Sequence, residues 1–330
     1  MKVDEAVLKL LNLDPDRTSV VSHGGGGCSS ASTLRITTKL SDGKEMNWFM
    51  KTGTGKDAEI MFEGEYASFR ALHAACPTIC PDAYGWGRFT SSPSTYFLVE
   101  DFLRLTSRSS SGSSGTSLAT NLARLHTTPA PIPENYSKPM FGFPVTTCCG
   151  DTPQDNSWKE DWAEFFGENR LRFILARSEM ANGSDAGLRE LVEQTISQVV
   201  PRLLSASHLN NGEGVTPVVV HGDLWSGNAS RGSIGDSTSV QDVVFDPSSC
   251  YAHSEYELGI MRMFGGFGKA FLREYHEICP KTEPSEEYED RVQLYMLYHQ
   301  LNHHALFGGG YRSGAVSVMK ELLAKYGKGT

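Results

Sequence analysis

The chain lacks the features that would place it in a membrane or on nucleic acid. No apolar run approaches the roughly 20 residues that a membrane-spanning helix requires. Lys and Arg number 30 against 39 Asp and Glu, and the resulting net charge of −9 opposes general binding to phosphate backbones or anionic lipid. Residues 1–5 include two acidic side chains and do not match a secretory signal. We therefore expect a cytoplasmic protein with no membrane or nucleic-acid partner.

The cysteines also lack the spacing of a metal site. Seven cysteines are scattered along the chain, and an odd number without a secretory signal indicates reduced thiols. Three residues separate Cys76 from Cys80, and Cys148 and Cys149 are adjacent, but neither pair has the spaced partners of a zinc site. We expect no structural metal.

The first hundred residues read as a small antiparallel sheet. Runs rich in Val, Ile and Thr predict strands, and apolar side chains at three- and four-residue steps predict a helix. We expect three strands, one long helix and two further strands, in the order 19–22, 33–38, 46–51, 58–74, 84–90 and 96–101.

The rest of the chain reads as mainly helical. Residues 106–117 are Ser- and Gly-rich and predict an exposed loop. Two short, wholly apolar runs predict strands buried on both faces, at 218–220 and 243–245. The predicted helices are 118–126, 158–180, 188–204, 255–264, 268–278 and 286–307. The expected fold class is therefore α+β, with a β-rich lobe of residues 1–102 and a larger helical lobe of residues 103–330.

The most informative segment runs from a buried strand into a polar loop, His221-Gly222-Asp223-Leu224-Trp225-Ser226-Gly227-Asn228. Phosphoryl transfer requires a carboxylate that accepts the proton of the attacking hydroxyl, and oxygen ligands that hold Mg²⁺ against the phosphates. Asp223 and Asn228 supply one of each. Asp246 follows the second buried strand and completes the set, since Mg²⁺ takes few carboxylates and fills its shell with substrate oxygens. Turn-capping by each aspartate separately is the alternative, and it does not explain the ordered set.

A lysine and a glutamate in the first lobe match this chemistry. Lys51 ends the third predicted strand, on the same face as Phe49, where its ammonium can reach a phosphate. Glu65 lies on the apolar stripe of the following helix, and a carboxylate is costly to bury there without a cation. We expect Lys51 and Glu65 to pair, with Glu63 as the second choice.

A glycine run separates the first two predicted strands. Glycines let backbone N–H groups approach phosphate oxygens, and serine hydroxyls add donors, although a flexible hairpin is the alternative. The residues of this predicted phosphate loop are Gly24, Gly25, Gly26, Gly27, Ser29 and Ser30.

Several segments together resemble the fructosamine/ketosamine 3-kinase family, within the protein-kinase-like and aminoglycoside-phosphotransferase-like superfamily. The resemblance spans nearly the whole chain and is most specific in the HGDLWSGN loop and the later MFGGF segment. Its segments are 49–51, 61–65, 98–102, 141–143, 147–150, 158, 161–162, 165–166, 221–228, 245–247, 253–258 and 264–267.

The resemblance implies a bilobal, protein-kinase-like fold that transfers the γ-phosphate of ATP to the 3-hydroxyl of a ribulosamine or fructosamine on a protein lysine. The unstable 3-phosphate then releases the sugar and restores the amine, which is a deglycation or protein-repair role. By this analogy Asp223 is the base and Trp225 a stacking wall for the sugar. The remaining implied residues bind Mg²⁺ (Asn228, Asp246), order the ATP phosphates (Lys51, Glu65) and meet adenine through the hinge backbone (Glu100, Asp101, Phe102).

Other interpretations stay open at the level of sequence. The resemblance places Cys28 where the family often has a glycine-loop cysteine, so we expect either a monomer or a redox-linked homodimer. A small-molecule phosphotransferase acting on an aminoglycoside or choline is one alternative function. A redox-responsive pseudokinase is another, although the intact Lys51, Asp223, Asn228 and Asp246 oppose it. Among ketosamines we expect a ribulosamine preference.

Overall fold

A computed structural model describes residues 2–24, 31–106 and 116–327. The elements up to residue 125 are α1 (Glu5–Leu11), β1 (Thr18–Ser22), β2 (Ser32–Lys39), β3 (Glu45–Thr54), α2 (Gly55–Ala75), β4 (Ala83–Arg88), β5 (Thr95–Asp101), β6 (Leu103–Thr106) and α3 (Leu118–Leu125). They are followed by β7 (Cys148–Cys149), β8 (Thr152–Pro153), α4 (Trp162–Glu164), α5 (Phe173–Asn182), α6 (Ala186–Gln194), α7 (Val200–Leu204), β9 (Val218–Val220), β10 (Ala229–Ile234), β11 (Gln241–Val244), β12 (Cys250–Ala252), α8 (Glu257–Phe264), α9 (Lys269–Ile278), α10 (Tyr288–Phe307) and α11 (Tyr311–Tyr326).

The first five strands form an antiparallel sheet in the order β1-β2-β3-β5-β4. Alternation along β3 turns Trp48 and Met50 toward one apolar cluster, which α1 joins through Val7. Phe49 and Lys51 therefore lie on the opposite face of the sheet. The predicted order of three strands, a long helix and two strands is confirmed.

Helix α2 carries the stripe that the sequence predicted. Its buried side chains include Ala58, Phe62, Phe69 and Leu72 at helical spacing, and Glu65 lies among them. The helix begins at Gly55, whose φ of +82° a glycine adopts without strain, and ends before Cys76. The stripe thus places the carboxylate of Glu65 within an apolar surface.

A second, three-stranded sheet in the order β11-β10-β6 was only partly predicted. Strand β11 overlaps the predicted strand at 243–245, and Val243 and Val244 are buried as expected. Strands β6 and β10 were not predicted, and they pair antiparallel over residues 103–106 and 231–234. Their pairing joins segments about 125 residues apart, which local sequence patterns do not reveal.

The described residues group into two compact units. One comprises residues 1–121, 145–153 and 227–248, and the other comprises residues 122–144, 154–226 and 249–330. Segments 145–153 and 227–248 therefore belong with the β-rich unit, whereas a single boundary after residue 102 places them in the helical lobe. The functional division at residue 102 stays a prediction.

The second unit is mainly helical, as predicted. The predicted helix at 158–180 begins later, at Trp162, and the segments Phe165–Arg172 and Thr195–Val199 are π-helical between α-helical parts. Strand β9, wholly buried, pairs antiparallel with β12 and continues into the His221 loop. Helix α11 extends the unit to Tyr326.

Candidate active site

The predicted ion pair between Lys51 and Glu65 is confirmed. The Nζ atom of Lys51 lies 2.5 Å from Oε1 of Glu65, and both side chains are almost completely buried. Burial alone would lower the pKa of Lys51, but the carboxylates of Asp246 and Glu65 raise it, so the ammonium stays charged. Burial raises the pKa of Glu65, and Lys51 only partly offsets this.

Lys51 also contacts Asp246, which lies 195 residues further along the chain. Its Nζ atom donates to Oδ1 of Asp246 at 2.6 Å. Asp246 follows β11, has a left-handed backbone with φ of +58°, and exposes 40% of its side chain. A positive φ is uncommon outside glycine, although aspartate tolerates it better than most residues. The contact brings the predicted phosphate-binding lysine against a predicted metal ligand.

Asn228 lies at the same end of the second sheet as Asp246. Ala229 pairs with Val244 in the β10–β11 ladder, and the amide of Phe245 donates to the carbonyl of Asn228 at 3.1 Å. One amide oxygen and one carboxylate fit Mg²⁺, which takes its remaining ligands from phosphates and water. The described residues contain no cluster of three or more His, Cys, Asp or Glu side chains that could hold a metal ion unaided.

Glu100 is a third carboxyl group in this part of the first unit. It is the penultimate residue of β5, pairs with Phe49, is 4% exposed, and its Oε2 has no hydrogen-bond donor among the described residues. Burial raises its pKa well above the usual value, while Lys51 opposes the shift and Glu65 and Asp246 add to it. We assigned this residue to the hinge for its backbone, and sequence reasoning did not foresee its buried side chain.

The predicted hinge is already partly hydrogen-bonded. The amide of Asp101 donates to the carbonyl of Asp82, and the carbonyl of Phe102 accepts from the amide of Gly235. The Phe102 ring lies 5.2 Å from that of His23, which lies next to Gly24. A backbone contact to adenine at Glu100–Phe102 therefore stays a prediction. The remaining phosphate-loop residues and Cys28 lie outside the described residues, namely Gly25, Gly26, Gly27, Cys28, Ser29 and Ser30.

In the second unit, a buried carboxylate holds the loop that carries Asp223. Glu257, at the first turn of α8, accepts hydrogen bonds from the amides of His221 at 2.5 Å and Gly222 at 3.0 Å. Gly222 has a φ of +83°, and the amide of Asp223 donates to Nδ1 of His221. The backbone on the N-terminal side of Asp223 is thus fixed by charge-assisted bonds.

A histidine from α3's C-terminal end supports the same carboxylate. Nε2 of His126 lies 3.6 Å from Glu257, and its Nδ1 lies 2.8 Å from the hydroxyl of Tyr275. Burial would raise the pKa of Glu257, but the neighbouring imidazole of His126 and the hydrogen bond from the His221 amide lower it. Sequence reasoning assigned no role to Glu257 or His126. The only signal was the position of Glu257 within the segment 253–258 that carried the family resemblance.

Trp225 is half-buried and lies against the last residue of α8. Its ring centroid is 5.6 Å from that of Phe264. Gly266 has a φ of +93°, and a Cβ there would come within 2.5 Å of the Cβ of Ser226. The MFGGF segment is therefore packed directly onto the loop of Asp223, and glycine at 266 permits the close approach.

The fold is that of kinase-like phosphotransferases. A candidate fructosamine-3-kinase from Thermobifida fusca superposes with a TM-score of 0.72 at 23% identity, covering 98% of this chain and 99% of that one. The aminoglycoside phosphotransferase APH(4)-Ia superposes with a TM-score of 0.54 at 13% identity, covering 98% and 99%. Both likenesses confirm the predicted α+β, protein-kinase-like fold class.

Sequence comparison is more specific. The family model for fructosamine kinase matches residues 15–325. The ketosamine-3-kinase of Mus musculus is 34% identical over 91% of this chain and 94% of its own length. The chloroplastic protein-ribulosamine 3-kinase of Oryza sativa subsp. japonica is 32% identical over 96% and 86%. The chain belongs to the fructosamine kinase family.

Proposed function

We propose that the protein is an ATP-dependent ketosamine 3-kinase, which phosphorylates the 3-hydroxyl of ribulosamine or fructosamine adducts on protein lysines. The contact of Lys51 with both Glu65 and Asp246 carries the proposal, because it unites the predicted phosphate-binding and metal-binding residues in one place. Membership in the fructosamine kinase family supports the acceptor class. Release of the sugar from the 3-phosphate would make the reaction a deglycation.

Each residue has a distinct part in this mechanism. Lys51, held by Glu65, places a positive charge on the phosphates of ATP. Asn228 and Asp246 would hold Mg²⁺, which supplies charge neutralisation at the transferring phosphoryl group. Asp223 accepts the proton of the sugar hydroxyl, and Glu257 fixes its loop.

A substrate panel tests the proposal. Purified protein with Mg·ATP should release ADP with ribulosyl-, erythrulosyl- and fructosyl-lysine, and ribulosyl-lysine should give the highest kcat/KM. Kanamycin and choline serve as acceptors for the alternative function. If kanamycin or choline is turned over faster than every ketosamine, the acceptor of the enzyme belongs to a different class from the one proposed.

The variant Asp223→Asn tests the base. It should lower kcat by at least about a hundredfold, since positioned proton transfer contributes on the order of 10²–10⁴, while ATP affinity measured by calorimetry stays within twofold. Turnover equal to wild type would refute the assignment. No ADP release by wild type with any acceptor, despite ATP binding, would favour the pseudokinase alternative.

Partners and location follow from the same proposal. Glycated proteins or free ketosamines are the expected substrates, and a cytoplasmic location and a Cys28-linked dimer stay predictions. Among the described residues, no helix is sufficiently long and apolar to cross a bilayer. Comparing wild type with Cys28→Ser on non-reducing gels after peroxide treatment tests the dimer, and an identical band in both would end that idea.

A further inference from the structure

A continuous row of aromatic rings starts at the loop that carries Asp223. Trp225 contacts Phe264 at a centroid separation of 5.6 Å, and Phe264 contacts His303 at 5.1 Å. From His303 the row continues to Phe307 at 5.7 Å and to Tyr311 at 5.1 Å. We call these five residues the aromatic row. It links the catalytic loop to the C-terminal end of α10 and the start of α11.

The row is poorly buried for so much apolar surface. Phe264 is 38% exposed and Phe307 is 56% exposed, whereas most large aromatic side chains of the second unit are in its core. The other three rings, Trp225, His303 and Tyr311, are half-buried. A contiguous, partly exposed apolar patch of this kind commonly marks a binding site. Its continuity with Trp225, two residues beyond Asp223, ties the patch to the acceptor side of the reaction.

His303 adds a hydrogen-bond acceptor to the row. Its Nδ1 lies 2.8 Å from the carbonyl of His299, so this nitrogen donates and the lone pair of the neutral ring is on Nε2. Burial lowers the pKa of His303, which keeps the ring neutral near pH 7. A neutral ring with an acceptor nitrogen does not repel a cation, as an imidazolium would.

We propose, resting on the ketosamine kinase function above, that the aromatic row binds the amine and alkyl stem of the glycated lysine. In a ketosamine the amine nitrogen is four bonds from the 3-oxygen, about 5 Å, so it lies close to the loop of Asp223 when that oxygen reacts. The lysine stem beyond it is apolar, and the amine is cationic when protonated. Aromatic faces attract such a cation, and they pack against methylene groups.

The test compares acceptors that share the sugar and differ in the amine. We choose ribulosyl-methylamine, which ends at the nitrogen, and the ribulosyl adduct of Nα-acetyl-lysine, which carries the full stem. The measured quantity is the ratio of kcat/KM for the long acceptor to kcat/KM for the short one. Phe307→Ala should lower this ratio about fivefold, mainly through KM of the long acceptor. His303→Phe, which keeps a ring and removes the acceptor nitrogen, should give a smaller decrease.

Two controls separate binding from folding. Phe307→Trp should retain the wild-type ratio, because it keeps an aromatic face. Met180→Ala removes an 84% exposed apolar side chain elsewhere in the second unit and should leave the ratio within twofold of wild type. If Phe307→Ala leaves the ratio unchanged and turns over ribulosyl-methylamine as wild type does, the proposed binding role of the aromatic row is wrong. The proposed kinase function would still stand. Failure of wild type to phosphorylate either ketosamine would overturn both.

Discussion

Lys51 is the cation that interacts with a group of three carboxyl side chains in the first unit. It is the only cation that directly contacts Glu65 and Asp246 among the described residues, and its charge also opposes the raised pKa of Glu100. Two of these three carboxyls are at least nine-tenths buried. Removing one partner of a buried ion pair lowers the free energy of unfolding by more than the intact pair contributes to it, because the charge of the remaining partner is left buried and uncompensated.

Lys51→Met should therefore destabilise the fold by about 3 kcal/mol near neutral pH. Without the ammonium, the already raised pKa of Glu65 rises further. The folded state then retains a proton that the unfolded chain releases above pH 4.5, so the loss should grow as the pH rises. Urea denaturation at pH 5 and pH 8 measures both effects.

Lys56→Met is the matched control for this prediction. Lys56 pairs with Glu59 at the surface, where the Lys56 side chain is 75% exposed, and solvent-exposed pairs of this kind contribute little to stability. The double variant Lys51→Met/Glu65→Leu should recover part of the loss, because the buried carboxyl group of Glu65 that lost its cation is removed as well. Equal losses at positions 51 and 56, or no recovery in the double variant, would contradict the argument.

The pairing or burial of a side chain was predictable where a local sequence pattern showed it. Glu65 was identified as the partner of Lys51 because it interrupts an apolar helical stripe, and that stripe is visible in the sequence. Glu100 belongs to an equally apolar strand, but its burial depends on both flanking strands. Glu257 was missed because the groups it binds, the amides of His221 and Gly222, are backbone atoms and leave no mark in the sequence.

At the scale of elements, one glycine lets helix α2 lie directly against the backbone that leads into β7. A Cβ at Gly64 would overlap the carbonyl oxygen of Thr146 and lie 2.9 Å from Cα of Thr147. Both obstacles are backbone atoms, which cannot move aside as a flexible side chain can. The glycine is therefore required by packing, although it is costly within a helix.

Gly64→Ala should destabilise the protein by about 2 kcal/mol through this overlap. Gly187→Ala in α6 is the matched control, since its Cβ would meet only Oδ1 of Asp185 at 3.7 Å. Alanine's higher helix propensity should stabilise that variant by about 0.7 kcal/mol. Thermal and urea unfolding measure both changes, and a shift of the same sign in the two variants would refute the packing account.

With Asp223 as the proposed base, we expect helix α8 to affect catalysis through its first residue, Glu257. Glu257→Gln removes the charge that holds the amides of His221 and Gly222, so the loop of Asp223 should lose its fixed geometry. We expect kcat to fall at least tenfold while ATP affinity changes less than twofold, with partial rescue by Glu257→Asp.

Glu255→Gln separates this positioning effect from general destabilisation. Glu255 is as deeply buried as Glu257, but it binds Arg291 and the amide of Thr282, not the loop that carries Asp223. This variant should lower the melting temperature and leave kcat within threefold of wild type. Equal losses of kcat in both variants would assign Glu257 a purely structural role.

The elements that escaped prediction are those whose pairing is non-local. Strand β10 contains Ser230, Arg231 and Gly232, which have no strand pattern by themselves. A Cβ at Gly232 would lie 2.7 Å from the carbonyl of Arg104, so its glycine permits the approach of β6. The five-stranded sheet was predictable because each of its strands lies in a local run of strand-forming residues that the sequence shows by itself.

At the scale of the whole molecule, the two units contain buried groups with opposite responses to pH. In the first unit, burial raises the pKa of Glu100 well above 4.5, so its folded form keeps a proton that the unfolded chain releases as pH rises. In the second unit, burial lowers the pKa of His299 well below 6.5. As the pH falls, His299 therefore stays neutral in the folded protein, whereas the same side chain takes up a proton in the unfolded chain. Stability should therefore decline above pH 4.5 through Glu100 and below pH 6.5 through His299, by up to about 1.4 kcal/mol per pH unit for each proton.

Removing either group should move the pH of maximum stability in a direction that identifies its source. Glu100→Gln should move the maximum to higher pH, because the decline above pH 4.5 is reduced. His299→Phe should move the maximum to lower pH and weaken acid denaturation. Neither ring nitrogen of His299 has a hydrogen-bond partner among the described residues, so this substitution breaks no hydrogen bond of the ring. It also keeps an aromatic ring to stack on Tyr256. The measurement is the free energy of unfolding in urea from pH 4.5 to 8.5, with exposed Glu277→Gln as control. Curves parallel to wild type in both variants would show that neither buried group sets the pH dependence.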